Sequence, residues 1–243
     1  MKKLIKFLFT FIALAPIQLE AKPKNIDKIG NVSKDNDTGV EFPNVINVFD
    51  DNSKILSLIG LGVRTVSFLK IRVYSLGIYA DDNAINDLKG IDNIKEKLTN
   101  VKNEELTTES IMNNVINSNT VFAVRIVPVR NTDFGHLRDG FIRAIQARMK
   151  LLKVSDETAN DINISLQSFK TFFPPSKVPK GDDLTLIKTH NKDLILSYNG
   201  KMLGKLDSKS PGVEFISTQL LLAYFADKNP ISAKAKQNVI DNL

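Results

Sequence analysis

Residues 60–80 read Gly60-Leu-Gly-Val-Arg64-Thr-Val-Ser-Phe-Leu-Lys-Ile-Arg-Val-Tyr74-Ser-Leu-Gly-Ile-Tyr-Ala80. Val, Ile, Tyr and Thr recur there with near period-two alternation, which predicts two β-strands, Leu61 to Phe68 and Ile71 to Ala80. One cation, Arg64, interrupts the first. A guanidinium inside an apolar strand must be solvated, paired or aimed at an anion, because burying it bare is very costly. Register decides which. An odd-length loop centred on Leu69 sets Arg64 across from Tyr74 on one face. A two-residue turn at Leu69-Lys70 pairs it with Ser75 instead and sends Tyr74 to the other side. In the first register an Arg and a phenol together form a grip for a carboxylate or phenolate. The plainer alternative is an Arg at the sheet rim, paired with an Asp of a neighbouring loop.

Outward from this hairpin the pattern alternates between helix and strand. Val40, Phe42, Val45, Ile46, Val48 and Phe49 suggest short strands broken at Pro43, and Asn83 to Leu98 one or two short helices interrupted at Gly90. Thr108 is a candidate cap for a further helix. Thr120 to Val129 is a strong strand with Pro128 at its end. The longest helix is expected from Thr132 or Asp133 to about Lys153, with Phe134, Leu137, Phe141, Ile145, Met149 and Leu152 forming one apolar stripe. Ser155 caps the next helix, which Phe172-Phe-Pro-Pro175 stops. Leu184 to Thr189 and Leu194 to Tyr198 read as strands, and Asn199-Gly200 as a type I′ turn into Lys201 to Leu206. Ser210-Pro211 opens a helix expected to run through Ala226, and Ser232 caps a last short one. The order describes an α+β fold, a mainly antiparallel sheet with helices on one face.

At 243 residues the chain can hold one large domain or two small ones. With no Cys, disulfides, thiolate metal sites, Fe–S clusters and Cys nucleophiles are excluded together. Only His136 and His190 could serve a zinc site, and they would need carboxylate help. The net charge of +6 does not point to nucleic acid: residues 1–38 hold seven Lys against four acids, +3, leaving +3 for the other 205 residues. No basic stripe interleaved with aromatics appears. Residues 1–21 form a Lys-rich, then apolar leader that passes for a secretory signal and equally for mitochondrial import. Its residues 4–15 offer a means of membrane association. Residues 22–38 read as a polar linker, and residues 39–243 as the folded domain.

Asp133-Phe-Gly-His136-Leu-Arg-Asp139 resembles pieces of a kinase signature, but the order is wrong and there is no Gly-rich loop or strand Lys. There is no Walker loop, and Gly60-Leu-Gly62 lies within strands rather than before a helix. His136, in the first turn of the longest helix, is either an exposed capping side chain or a ligand at a pocket mouth for a metal-bearing cofactor such as haem.

Several blocks together resemble the chalcone isomerase family over almost all of residues 40–243. They are Gly-Leu-Gly-Val-Arg64 with Val-Tyr74-Ser-Leu-Gly-Ile-Tyr79, Phe169-Lys-Thr-Phe-Phe-Pro-Pro175, and the strand–Asn-Gly–strand, long helix and Pro-Ile-Ser232 of the carboxy-terminal part. The run from Arg125 to Lys150 is similar to the fungal "altered inheritance of mitochondria" branch of that family. The resemblance implies an open-faced β-sandwich, a large antiparallel sheet layered with helices, whose ligand cleft is floored by the opening hairpin. It implies a mitochondrial location. It also matches Arg64 to the substrate-holding Arg, Tyr74 to a strand Thr, and Tyr224 to a Ser or Thr late in the carboxy-terminal helix.

The departures are informative. The family's active-site Tyr falls on Phe134, and an Asn one to two turns later falls near Phe141. Cyclising a chalcone needs hydroxyl and amide groups to orient the phenolate and stabilise enolate charge, and phenylalanine supplies neither. Each lost donor is worth about 10²–10³ in rate in comparable oxyanion sites. An Arg64–Tyr74 pair above an apolar cleft is closer to the family's fatty-acid-binding members. The expectation is a non-catalytic protein that requires no cofactor. It would bind a small apolar or amphipathic anion, a fatty acid or a haem-like ligand, through Arg64, Tyr74, Phe134, Phe141 and Tyr224. The alternative is an intramolecular lyase that uses Arg64 as electrostatic catalyst.

Overall fold

The computed structural model describes residues 31–48, 55–66, 69–91 and 107–243. In chain order the strands are β1 (Val32–Lys34), β2 (Glu41–Pro43), β3 (Val45–Asn47), β4 (Ile55–Val66), β5 (Ile71–Ala80), β6 (Phe122–Pro128), β7 (Thr132–Asp133), β8 (Lys177–Val178), β9 (Leu184–Lys188), β10 (Leu194–Tyr198) and β11 (Lys201–Leu206). The helices are α1 (Asp82–Lys89), α2 (Thr108–Asn117), α3 (Phe134–Leu152), α4 (Asp156–Lys170), α5 (Val213–Leu222) and α6 (Ala233–Asn242). Seven strands form one curled antiparallel sheet in the order β11-β10-β9-β6-β5-β4-β3. This is the α+β plan, a mainly antiparallel sheet accompanied by helices, that the alternation of strands and helices led us to expect.

The even-numbered residues of β5, Tyr74, Leu76, Ile78 and Ala80, join the main core with the helices. The opposite face carries a smaller cluster around Tyr79, Ala123, Ile187 and Ile195. Period-two alternation thus sorts β5, β6, β9 and β10 between two apolar environments, whereas β11 keeps exposed residues. The caps follow local chemistry: Asp133 accepts from the His136 amide at the head of α3 and Ser155 from Thr158 at the head of α4. Asn199 and Gly200 both take positive φ, +47° and +78°, as a type I′ turn demands.

Several boundaries differ from expectation. The first long strand begins at Ile55 and is described to Val66, and residues 67 and 68 lie outside the described residues. So does the part of the expected 83–98 helix beyond residue 91. Thr107, not Thr108, caps α2, in a reciprocal capping box with Ser110. The Ser210-Pro211 helix starts only after Gly212, whose φ of +78° makes it a left-handed cap. It ends at Leu222, because the Tyr224 and Phe225 amides bond three residues back (3.0 and 2.9 Å) in a tight turn. Part of the stretch read as a linker is ordered: β1 pairs with β2, and Asp35 is 2% exposed. Burial of Asp35 is what composition could not show, since two of its partners, Ser75 and Lys234, lie far along the chain.

Candidate functional site

Arg64 lies directly across from Tyr74 in the β4–β5 ladder. This is the pairing of the odd-length alternative, reached through a bulge instead of a loop centred on Leu69. Near the turn Thr65 pairs with Arg72 and Val66 with Ile71, and a bulge between Arg64 and Thr65 shifts the ladder by one residue. The bulge puts the guanidinium and the phenol on the helix-facing side.

The edge of β4 is covered by α6. β3 pairs only with residues 55–57 of β4, so the groups beyond need other partners. Side chains from α6 and its cap supply them: Asn238 Oδ1 accepts from the Leu61 amide (2.7 Å), Asn242 Nδ2 donates to the Ile59 carbonyl (3.2 Å), and Ser232 Oγ donates to the Val63 carbonyl (2.9 Å). Such close approach requires Gly62, where a Cβ would lie 2.4 Å from the Ala235 backbone nitrogen.

This contact brings the α5–α6 connection onto Arg64. The half-buried guanidinium donates through Nη1 to the Ile231 carbonyl at 2.6 Å, and the Ile231 amide donates to the Ala223 carbonyl at 2.9 Å. Tyr224 therefore sits beside Tyr74, wholly buried. Its hydroxyl is close enough to Tyr74 for each to affect the other's ionisation, yet it makes no well-formed hydrogen bond. Burial raises the Tyr74 pKa against the opposing Arg64 charge, and burial with the neighbouring Tyr74 raises that of Tyr224 well above the usual phenol value. Both phenols stay protonated at neutral pH. The cluster offers one cation and two neutral O–H groups, suited to hold an oxyanion and unsuited to remove a proton.

The other expected site residues have different immediate partners. Phe134 is 1% exposed and meets the Tyr198 ring edge-on at 4.9 Å. Phe141 is 3% exposed and packs with Phe169 and Phe173, centroids 6.4 and 6.1 Å away. His136 is 79% exposed, with Nδ1 2.7 Å from the Asp133 carboxylate. An exposed, carboxylate-paired imidazole does not fit the apolar seat that a haem iron ligand needs. Among the described residues no group of three or more His, Cys, Asp or Glu could hold a metal ion. A polar groove of about 390 Å³, lined by Asn191, Asp193, Lys205, Asp207, Ser208 and Lys209, shares no residue with the Arg64 cluster.

Sequence reasoning missed a second strand cation. Arg125 lies on β6, opposite Gly77, with Nη2 3.0 Å from Asp183 and its Nε and Nη1 buried without partners. The argument applied to Arg64, a charge inside an apolar strand, applies equally to it. It also missed Arg148, 5% exposed, which joins α2 and α5 through Glu109 (2.5 Å) and Gln219 (2.9 Å). A cation at that position reads on a helical wheel as a solvated face.

The chain is 26% identical to altered inheritance of mitochondria protein 18, mitochondrial, of Kluyveromyces lactis, over 96% of this chain and 81% of that one. The Debaryomyces hansenii protein of the same name is 30% identical, over 76% of this chain and 65% of its own length. The mitochondrial location expected from the resemblance is the one these relatives carry in their names. A crystal structure of an Arabidopsis thaliana fatty-acid binding protein shares the fold with a TM-score of 0.63 at 23% identity, covering 87% of this chain and 97% of that one. A family model described as chalcone isomerase like matches residues 54–240, and the chain belongs to that family.

Proposed function

We propose that this protein is a non-catalytic member of its family that holds an amphipathic carboxylate, a fatty acid in the first instance. Arg64 and Tyr74 would grip the acid group, with Tyr224 beside them. The observation that carries the reading is the convergence of Arg64, Tyr74 and Tyr224, in which a buried hydroxyl lacks a partner and the guanidinium rests on a backbone carbonyl. A carboxylate oxygen is the natural replacement for the Ile231 carbonyl on Arg64, because a charged acceptor roughly doubles the strength of such a bond. The two phenols supply neutral donors to the second oxygen. Phe134 and Phe141, where cyclisation would want O–H and amide donors, are hydrocarbon packed among other rings.

The test is binding of palmitate and of methyl palmitate to the purified chain, read by native mass spectrometry and by displacement of a fluorescent fatty acid. Binding of the acid, not of the ester, is expected, with at least a tenfold loss in Arg64→Ala. Equal binding of acid and ester would refute the grip. Incubation with a chalcone should leave it open; Arg64-dependent flavanone formation would instead establish the lyase.

A further inference from the structure

Five exposed cations occupy one end of the seven-stranded sheet: Lys70 and Arg72 at the start of β5, Arg130 just past β6, and Lys177 and Lys180 between α4 and β9. Backbone contacts make them neighbours. The Arg130 guanidinium donates twice to the Arg72 carbonyl (3.1 and 2.6 Å), the Lys180 amide donates to Asn131 Oδ1 (3.0 Å), and Lys177 pairs with Asp133 in the β7–β8 ladder. Among the described residues none of the five forms an ion pair. The acids at this end have other partners: Asp37 has Lys234 (2.6 Å), Asp133 has His136 (2.7 Å), Asp139 has Arg138 (2.9 Å), Asp183 has Arg125 (3.0 Å), and Asp182 accepts from the Tyr198 hydroxyl. The five cations are exposed, and the Arg72 guanidinium also donates to the Asp37 carbonyl (2.5 Å).

Hydrocarbon stands among these charges. Val66 is 41% and Leu69 66% exposed at the β4–β5 connection. The β10–β11 hairpin ends on the same side, since Tyr198, Leu184 and Ile126 lie in register, and adds exposed Lys201 and Met202. A soluble polyanion would use the charges and leave the apolar side chains in water. A bilayer with anionic headgroups uses both, because apolar tips enter the headgroup–acyl boundary while basic side chains meet phosphates. We propose that this end of the sheet docks on an anionic phospholipid surface, Val66 and Leu69 entering the interface and the five cations contacting lipid phosphates. The docking needs neither residues 4–15 nor the carboxylate site, although Arg64 and Tyr74 lie two rungs of the ladder behind the Val66–Ile71 pair at the exposed tip.

Because the chain has no Cys, a single environment-sensitive dye can be placed at Leu69→Cys or, as control, at Ile164→Cys on α4, which is 60% exposed. The full chain is mixed with vesicles of phosphatidylcholine alone or with about 30 mol% phosphatidylserine, an anionic surface of the kind that attracts basic segments. The Leu69 dye should shift to the blue only with the anionic vesicles, and the Ile164 dye should not. Combining Lys70→Ser, Lys177→Ser and Lys180→Ser should weaken the response about a hundredfold, about fivefold per charge. Palmitate binding in solution should be unchanged in that variant, so failure of the two proposals is told apart. A Leu69 dye that stays aqueous while vesicles bind would overturn the docking and leave an electrostatic contact for soluble partners. So would an equal response at Ile164, or one indifferent to the three substitutions.

Discussion

The Tyr224 hydroxyl is buried next to that of Tyr74 without a well-formed hydrogen bond, although both rings belong to the main core. A buried donor without a partner costs about 1–3 kcal/mol, and the fold carries that cost beside a guanidinium held by a carbonyl. Tyr224→Phe should therefore raise the stability of the free protein, by up to about 1 kcal/mol, while weakening palmitate binding several-fold. Thermal melting with and without palmitate separates the effects; destabilisation of the free protein together with unchanged binding would contradict the assignment.

Gly62 allows α6 to lie on the β4 backbone. In Gly62→Ala the new Cβ would stand 2.4 Å from the Ala235 nitrogen and 2.7 Å from its Cα, backbone atoms that cannot swing aside. Overpacking of this kind costs about 1–3 kcal/mol, and displacement of α6 would also loosen the Ser232, Asn238 and Asn242 bonds to β4. Urea unfolding should show a lower midpoint, and hydrogen exchange should show faster exchange at Leu61.

Asp35 ties the first ordered segment to the body. Its carboxylate accepts from Ser75 Oγ (2.7 Å) and Thr38 Oγ1 (2.6 Å), with Lys234 3.7 Å away. Burial alone would raise its pKa, but the hydrogen bonds from Thr38, Ser75 and the Asp37 amide, with the Lys234 charge, outweigh it and hold the group below its usual value. A depressed carboxylate contributes stability that is present above about pH 3.9 and lost as pH falls through the lower folded value. Asp35→Ala should cost about 1.5–3 kcal/mol near neutrality and expose the residue 31–43 segment to limited proteolysis. The deficit relative to wild type should shrink towards pH 3.

The alkaline limb has two opposing parts. Lys188, wholly buried with Nζ on the Thr120 carbonyl at 2.9 Å, is drawn down to about 8, chiefly by burial. Between there and about pH 10.4 the unfolded chain binds the extra proton, so this group makes stability rise with pH. The four tyrosines act the other way. Burial raises Tyr74, Tyr79, Tyr198 and Tyr224, so their contribution is whole below about pH 10 and is lost as pH climbs through the folded values. Denaturant midpoints should climb between about pH 8 and 10 and fall steeply beyond. In Lys188→Met the climb should vanish and the fall remain.

Strand and helix identity were legible wherever the signal is local. The β5 alternation, the Asp133 and Ser155 caps and the Asn199-Gly200 turn each follow from a side chain acting on backbone within four residues. That Arg64 needs a partner was also legible, because a charge in an apolar strand demands one whatever the fold, and the Ile231 carbonyl is that partner. The register of Arg64 with Tyr74 remained one of two alternatives, since the bulge that fixes it depends on the rest of the sheet and on α6.

The sequence by itself determined the alternation of elements, the absence of thiol chemistry and the presence of a cation inside an apolar strand, all matters of composition and short-range geometry. Only the tertiary structure decided that Tyr224 meets Tyr74, that Ile231 caps the guanidinium, and that Asp35 belongs to the core. Those contacts join residues some 40 to 170 positions apart. Their free energy comes from closing such loops against packed surfaces, a cost and a gain that no window along the chain contains.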